Sequence, residues 1–321
     1  MIHGLHHVTA MAGDAQRNLD VYAGILGMRL VKRSVNQDDP GTYHLFYADA
    51  TGAPGSDLTF FPFGAEAIRG SAGVGVAPEV SLAVPPGSLG YWEARLVQHG
   101  IGVGPQETRF GEPTLCFTDP DGLAVALVES AAGGMPWDRS PVPAAYQVRG
   151  LHAARLTERV LAPTERFLTE VLGFERAGAE GGWQRYRLGS GGSGRLIDLR
   201  IDEAAPRGQF GAGVIHHLAW RVPDGATQLA ARAALDAAGR HPTDVIDRFW
   251  FRSVYFREPG GTLFELATDG PGFAVDEDAA QLGERLVLPP WLEVHRAAIE
   301  RQLPRLKLPA QEGEAREVEA R

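Results

Sequence analysis

Two doubled histidines and one carboxylate are the residues of this chain best placed to do chemistry. His6-His7 opens an apolar stretch from Leu5 to Ala10, His216-His217 opens another, and Glu265 lies inside the run Thr262-Leu263-Phe264-Glu265-Leu266-Ala267. A run of that composition belongs in a buried strand, where an ionised carboxylate is costly without a partner or a metal. Two neutral imidazoles and one carboxylate form the facial triad that suits non-haem Fe(II) and leaves three adjacent coordination positions open. Neighbouring strand residues face opposite ways, so only one histidine of each pair easily reaches a shared metal. A strand histidine on its own is ordinarily a satisfied core residue. The metal reading therefore needs independent support.

That support comes from an internal repeat. Gly4-Leu5-His6-His7-Val8 returns as Gly150-Leu151-His152-Ala153-Ala154, and Leu26-Gly27-Met28 returns as Leu172-Gly173-Phe174. Arg69-Gly70-x-x-Gly73-x-Gly75 returns as Arg207-Gly208-x-x-Gly211-x-Gly213, and Asp119-Pro120-Asp121-Gly122 as Glu258-Pro259-Gly260-Gly261. On this alignment Ala153 stands where His7 would be, Ser81 for His217 and Ala126 for Glu265. A purely structural need would act on both copies alike. The asymmetry reads as one live metal site and one lost one, with His7, His217 and Glu265 as the ligands. Such a site must be built across the two halves of the chain.

Each half divides again into two units. The first reads as a strand from Leu5 to Ala10 and a helix capped by Asp14, with Leu19, Tyr22 and Ile25 or Leu26 at helical spacing and Gly27 at its end. Strands Arg29 to Ser34, Tyr43 to Ala48 and Asp57 to Pro62 follow. The third unit copies this plan, with Pro163 near its helix start and Gly173 after its end. Helices Ser88 to His99 and Gly225 to Ala237, stopped by Gly100 and Gly239, belong to the second and fourth units. Those units close with the hairpins Thr114–Phe117 with Leu123–Val128 and Arg252–Phe256 with Thr262–Ala267. The expected class is α+β, with four βαβββ modules, two in residues 1–130 and two in 149–270. A linker, 131–148, joins the halves, and an extension, 271–321, carries a helix from Trp291 to Gln302 and a charged, disordered end.

Composition narrows the partners. The chain has 321 residues, 44% apolar and 22% charged, which is globular and long enough for two domains. No window approaches a membrane-spanning length of apolar residues, and the N-terminus lacks the pattern of a secretory signal. The single cysteine, Cys116, cannot form an internal disulfide and fits a reducing, cytoplasmic compartment. A formal net charge of −9 without a basic cluster argues against nucleic acid and anionic membrane. A small molecule is the expected partner, and a homo-oligomer is compatible with the sequence.

The motifs resemble the vicinal oxygen chelate superfamily, and within it the Fe(II) ring-cleaving dioxygenases that act on hydroquinones. The matching stretches are Leu5-His6-His7-Val8-Thr9, Thr42 to Asp49 and Ile215-His216-His217-Leu218-Ala219. Asp247 to Gly261 is the most specific, running on through Glu265 to Gly272-Phe273, with Leu288-Pro289-Pro290 in the tail. The resemblance covers about residues 3 to 308. It implies two tandem vicinal-oxygen-chelate domains, iron held by His7, His217 and Glu265, and a substrate surrounded by Thr9, His216, Arg248 and Tyr255. Arg248 would hold a phenolate or developing anion by a charge-assisted hydrogen bond. Tyr255 would donate to, or take a proton from, a bound oxygen species. Strand alternation turns His216 away from His217 unless the strand bulges there.

The expected activity is an extradiol-type dioxygenation in which both atoms of O2 enter an aromatic diol, most specifically a substituted hydroquinone. Fe(II) is the expected metal, and the same triad accepts Mn(II). A catechol is the alternative substrate. A glyoxalase-like lyase or isomerase is a rival reading, but such sites commonly take a carboxylate from each half-site, and Ala126 stands in that place. A protein that only sequesters a small molecule has no need of an intact triad.

Overall fold

A computed structural model describes residues 2–131 and 133–308; the charged end expected to be disordered lies outside the described residues. The first module holds β1 (Leu5–Ala12), α1 (Ala15–Leu19), β2 (Arg29–Asn36), β3 (Asp39–Ala48) and β4 (Asp57–Pro62). The second holds β5 (Val80–Val84), α2 (Leu89–Gln98), β6 (Glu107–Arg109), β7 (Glu112–Thr118) and β8 (Ala124–Glu129). In the third are β9 (Gly150–Glu158), α3 (Leu161–Arg166), β10 (Glu175–Glu180), β11 (Trp183–Arg187) and β12 (Leu196–Ile201). The fourth comprises β13 (Val214–Val222), α4 (Gly225–Ala237), β14 (Ile246–Asp247), β15 (Arg252–Arg257) and β16 (Leu263–Thr268). The local signals act as expected. The Asp14 carboxylate accepts from the Arg17 amide; α1 and α3 run on as wider π-helical turns, Asp20–Ile25 and Phe167–Val171, and Gly27, Gly100, Gly173 and Gly239 follow their helical segments with positive φ.

The strands form two eight-stranded sheets, ordered β14-β15-β16-β13-β1-β4-β3-β2 and β10-β11-β12-β9-β5-β8-β7-β6. The first module thus shares a sheet with the fourth, and the second with the third. The join in the first sheet is β1, antiparallel to β13 on one side and parallel to β4 on the other. Val8, Ala10, Leu58 and Phe60 belong to the large apolar core together with Leu19 and Tyr22, each such buried side chain contributing about 1.5–3 kcal/mol. The other face of the first sheet holds a smaller cluster that includes Val31, Phe46, Ala219, Trp250 and Phe251.

In the second sheet Ser81 pairs with Ala126, and ionic side chains fill the space around them and Ala153. Arg185 meets Asp198 at 2.8 Å and Glu112 at 2.6 Å, Arg109 meets Glu79 at 2.6 Å, and Arg155 lies 3.6 Å from the centroid of the Trp183 ring. The copy that lacks the His/His/Glu set at the equivalent positions is filled by charge pairs.

The tail departs from expectation. Residues Pro290–His295 make tight turns, and α5 spans only Arg296–Gln302. Trp291 and Val294 stay 46% and 81% exposed, so this turn has no apolar stripe to bury and settle as α-helix. The extension is tied to β2 by the buried Lys32, whose ammonium donates to the Phe273 carbonyl at 3.0 Å and pairs with Asp276 at 2.8 Å and with Glu277. Among the described residues no helix is long and apolar enough to cross a membrane.

Candidate active site and metal centre

His7 lies on β1, His217 on β13 and Glu265 on β16, in adjacent strands of one sheet. Register pairs Ala219 with both His7 and Glu265. All three side chains are buried, and their ligand atoms converge. His7 Nε2 is 3.2 Å from His217 Nε2, and Glu265 Oε2 is 3.3 Å from the first and 3.0 Å from the second. Ser253 on β15 donates to the other oxygen, Oε1, at 2.5 Å. Despite its two imidazole neighbours, Oε2 receives no well-directed hydrogen bond.

The doubled histidines find their explanation here. Pairing of β1 with β13 slips between Leu5 and His7 and again between Thr9 and Ala10, where Thr9 faces His217 and Ala10 faces Ile215. The extra residues at the two slips are His6 and His216. These bulges break the alternation that would have carried them to the opposite face. His6 Nδ1 stands 2.9 Å from His7 Nδ1, and His216 Nδ1 stands 2.8 Å from His217 Nδ1. Burial above all, and the adjacent histidine next, lower the pKa of both His6 and His216 to about 3, so each is neutral. A proton on Nδ1 of His7 and of His217, toward these neighbours, is the arrangement that would free both Nε2 lone pairs for a cation. Burial opposes the charge on Glu265, but His7 and His217 outweigh it and hold this carboxyl well below the usual range. Three electron-rich atoms about 3 Å apart in a buried pocket are what a bound cation would resolve.

A cavity of about 370 Å³, its open mouth included, adjoins the cluster. His7, His217 and Tyr255 line one side; Phe46, Phe61, Trp250 and Phe251 supply apolar walls; Asn36, Gln37, Asp38, His44 and Arg248 complete it. Burial first, and the Glu265 charge second, raise the Tyr255 pKa, so the hydroxyl keeps its proton. Arg248 spans the cavity: its guanidinium takes both oxygens of Asp38 at 3.1 and 2.8 Å and lies 5.5 Å from the Tyr255 ring centroid. Thr9 is fully buried, its hydroxyl 2.7 Å from that of Thr59. His216 packs against Phe210 and Phe61, and neither it nor Thr9 is among the cavity-lining side chains.

Sequence reasoning passed over His6, His44 and Asp57. Asp57 pairs in register with His7, neither carboxylate oxygen has a hydrogen-bond partner, and burial lifts its pKa to about 7. It heads the apolar strand β4, the same signal that drew attention to Glu265.

Comparison with known proteins shows the family and the fold. A family model described as the Glyoxalase/Bleomycin resistance protein/Dioxygenase superfamily matches residues 4–127 and 150–266. A Bacillus subtilis (strain 168) protein named "Putative ring-cleaving dioxygenase MhqO" is 43% identical over 301 residues, 94% of this chain and 95% of its own length. The "Chlorohydroquinone/hydroquinone 1,2-dioxygenase" of Sphingobium indicum is 35% identical, over 91% of this chain and 93% of its own. A crystal structure of a "putative dioxygenase" from Bacillus subtilis superposes with a TM-score of 0.92 at 42% identity, covering 96% of this chain and 98% of that one. Glyoxalase I from Zea mays, at 15% identity and a TM-score of 0.59 over 83% of this chain and 92% of its own, shares the fold.

Proposed function

The chain belongs to the Glyoxalase/Bleomycin resistance protein/Dioxygenase superfamily and to its ring-cleaving dioxygenases, and we propose that it opens a substituted hydroquinone with Fe(II) and O2. His7, His217 and Glu265 would hold the metal. The observation that carries this reading is the spacing of the three donors, 3.0, 3.2 and 3.3 Å. Donors about 2.1 Å from one ion stand about 3.0 Å apart at right angles and about 3.4 Å apart in a tetrahedron, so the three spacings are those of ligands to a single ion. The donor set of two imidazoles and one carboxylate is what suits Fe(II), and Mn(II) after it.

When bound there, Fe(II) supplies coordination of a diol oxygen beside O2 and exchanges electrons with both. The chain's own contribution is positional. His6 and His216 fix the tautomer and ring orientation of the two imidazoles. Phe46, Phe61, Trp250 and Phe251 form apolar walls that suit a flat ring and exclude water. Tyr255 holds a proton on its hydroxyl, ready to donate to an oxygen beside His217, whose ring centroid lies 5.7 Å from its own. Arg248, fixed by Asp38, places positive charge beside Tyr255, where anionic character on the substrate is favoured.

The hydroquinone is the finer part of the proposal. A catechol is oriented by two adjacent oxygens on the metal, whereas a para-diol needs protein groups at its far end, and this cavity has them. A reducing, cytoplasmic setting fits the free thiol of Cys116. The test is metal content and oxygen uptake after anaerobic loading with Fe(II). One iron per chain and faster uptake with methylhydroquinone than with methylcatechol is the expected result. A preference for the catechol sinks the substrate assignment, and no uptake with any diol sinks the reaction.

A further inference from the structure

The polar atoms facing the cavity away from the donor cluster are mostly committed. Asn36 Oδ1 accepts from the Asp38 amide at 3.0 Å, Gln37 Nε2 donates to the Arg248 carbonyl at 3.0 Å, and Arg248 and Asp38 hold each other. Trp250 Nε1 donates to Asp276 at 3.1 Å. His44 differs. Its ring packs against Phe46 and Phe61, with centroids 3.8 and 4.3 Å away, and its Nε2 stands 2.8 Å from Thr59 Oγ1. Thr59 Oγ1 is in turn 2.7 Å from Thr9 Oγ1. The chain His44–Thr59–Thr9 runs across β3, β4 and β1 and ends on the strand that carries His7. Nδ1 of His44 has no hydrogen-bond partner among the described residues, although the ring lines the cavity.

We propose that His44 is the specificity-determining residue that recognises the second, para oxygen of the diol through Nδ1, with Thr59 and Thr9 setting the direction of that hydrogen bond. The inference rests on the hydroquinone reading above and deepens it. Burial first, and the nearby His7, His217 and Arg248 next, keep His44 neutral, so it has one N–H and one lone pair. If the Thr59 hydroxyl donates to Nε2, Nδ1 carries the proton and donates to a deprotonated or carbonyl oxygen. If Nε2–H donates to Thr59, and Thr59 to Thr9, Nδ1 accepts from a phenolic hydroxyl. Both hydroxyls rotate freely between these patterns. The same contact therefore serves the para oxygen whether or not it carries its proton. Thr9 thus acts through His44, which explains why it is buried behind the wall.

The experiment is anaerobic equilibrium dialysis of Fe(II)-loaded protein against hydroquinone and phenol, which differ only in that oxygen. Wild type is expected to bind hydroquinone about 5- to 10-fold more tightly, the worth of one neutral hydrogen bond. His44→Phe is expected to bring the two within about twofold of each other, with iron content and phenol affinity retained. Thr59→Val, which keeps the imidazole and the shape, should lower the ratio about threefold and serves as the test should His44→Phe fail to fold. A wild type that does not distinguish the two, or variants that keep the wild-type ratio, would overturn the inference. Neither readout needs turnover, so absence of oxygen uptake condemns the proposed reaction while the binding ratio still judges His44.

Discussion

The proposed metal centre takes its one negative protein charge from Glu265. Glu265→Gln keeps the shape and removes that charge, so iron affinity should fall by more than about 100-fold, given that losing an outer partner alone typically costs 10- to 100-fold. Circular dichroism should remain that of wild type while iron analysis and oxygen uptake collapse; a variant that keeps both would end the triad assignment. Arg248→Ala should act differently. Removing a charged hydrogen-bonding partner costs about 2–3 kcal/mol, so kcat/KM for hydroquinone should drop about 30-fold or more with iron retained, and catechol turnover should suffer less. At this scale the convergence of His7, His217 and Glu265 was legible, because a carboxylate in an apolar strand and a duplicate lacking all three residues are both visible in sequence. His6 and His44 were not. Their roles depend on where a strand slips and on which ring nitrogen is already occupied, and neither leaves a mark in residue order.

At the scale of elements, most boundaries followed local chemistry: α4 begins after the Asp224 cap and ends at Ala237, before Gly239, as its signals require. The tail helix did not, because turn-favouring prolines and an exposed Trp291 and Val294 outweighed its helical spacing. One buried ammonium is a main tie of the extension. Lys32→Met should leave the Glu277 and Asp276 carboxylates without their cation, Glu277 within the interior, at a cost of about 3–5 kcal/mol. Limited proteolysis should then cut within residues 270–290 well before the sheets, and the melting temperature should fall. Unchanged protease resistance would mean that the contacts of Arg29 and Arg33 with the Ala279 and Glu284 carbonyls suffice.

Across the whole molecule, stability should depend on a carboxyl far from the metal centre. Burial first, and the neighbouring Glu258 second, raise the Glu158 pKa to about 8, and its Oε1 has no partner. Neutral in the fold, Glu158 ionises in the usual carboxylate range once unfolded. Its contribution is therefore fully present at low pH and is lost as pH rises toward about 8. Thermal melts between pH 5 and 9 should fall less steeply for Glu158→Gln than for wild type, leaving the variant a few degrees more stable at pH 9. Parallel curves would place the proton elsewhere.

The pairing of the first module with the fourth also has a consequence for biosynthesis. His7 and His217 are separated by 210 residues, so a ribosome must finish most of the chain before the metal pocket can close. Until β13 emerges, β1 has an unpaired edge, and a nascent fragment lacks two of the three proposed donors. The same logic makes the protein divisible. If it is cut within residues 131–148, neither fragment should retain iron, because each lacks part of the donor set. Co-expressed, the two should complement one another, restoring both sheets along with metal and activity. Iron retained by one fragment alone would show that the donors do not need to meet across the two halves.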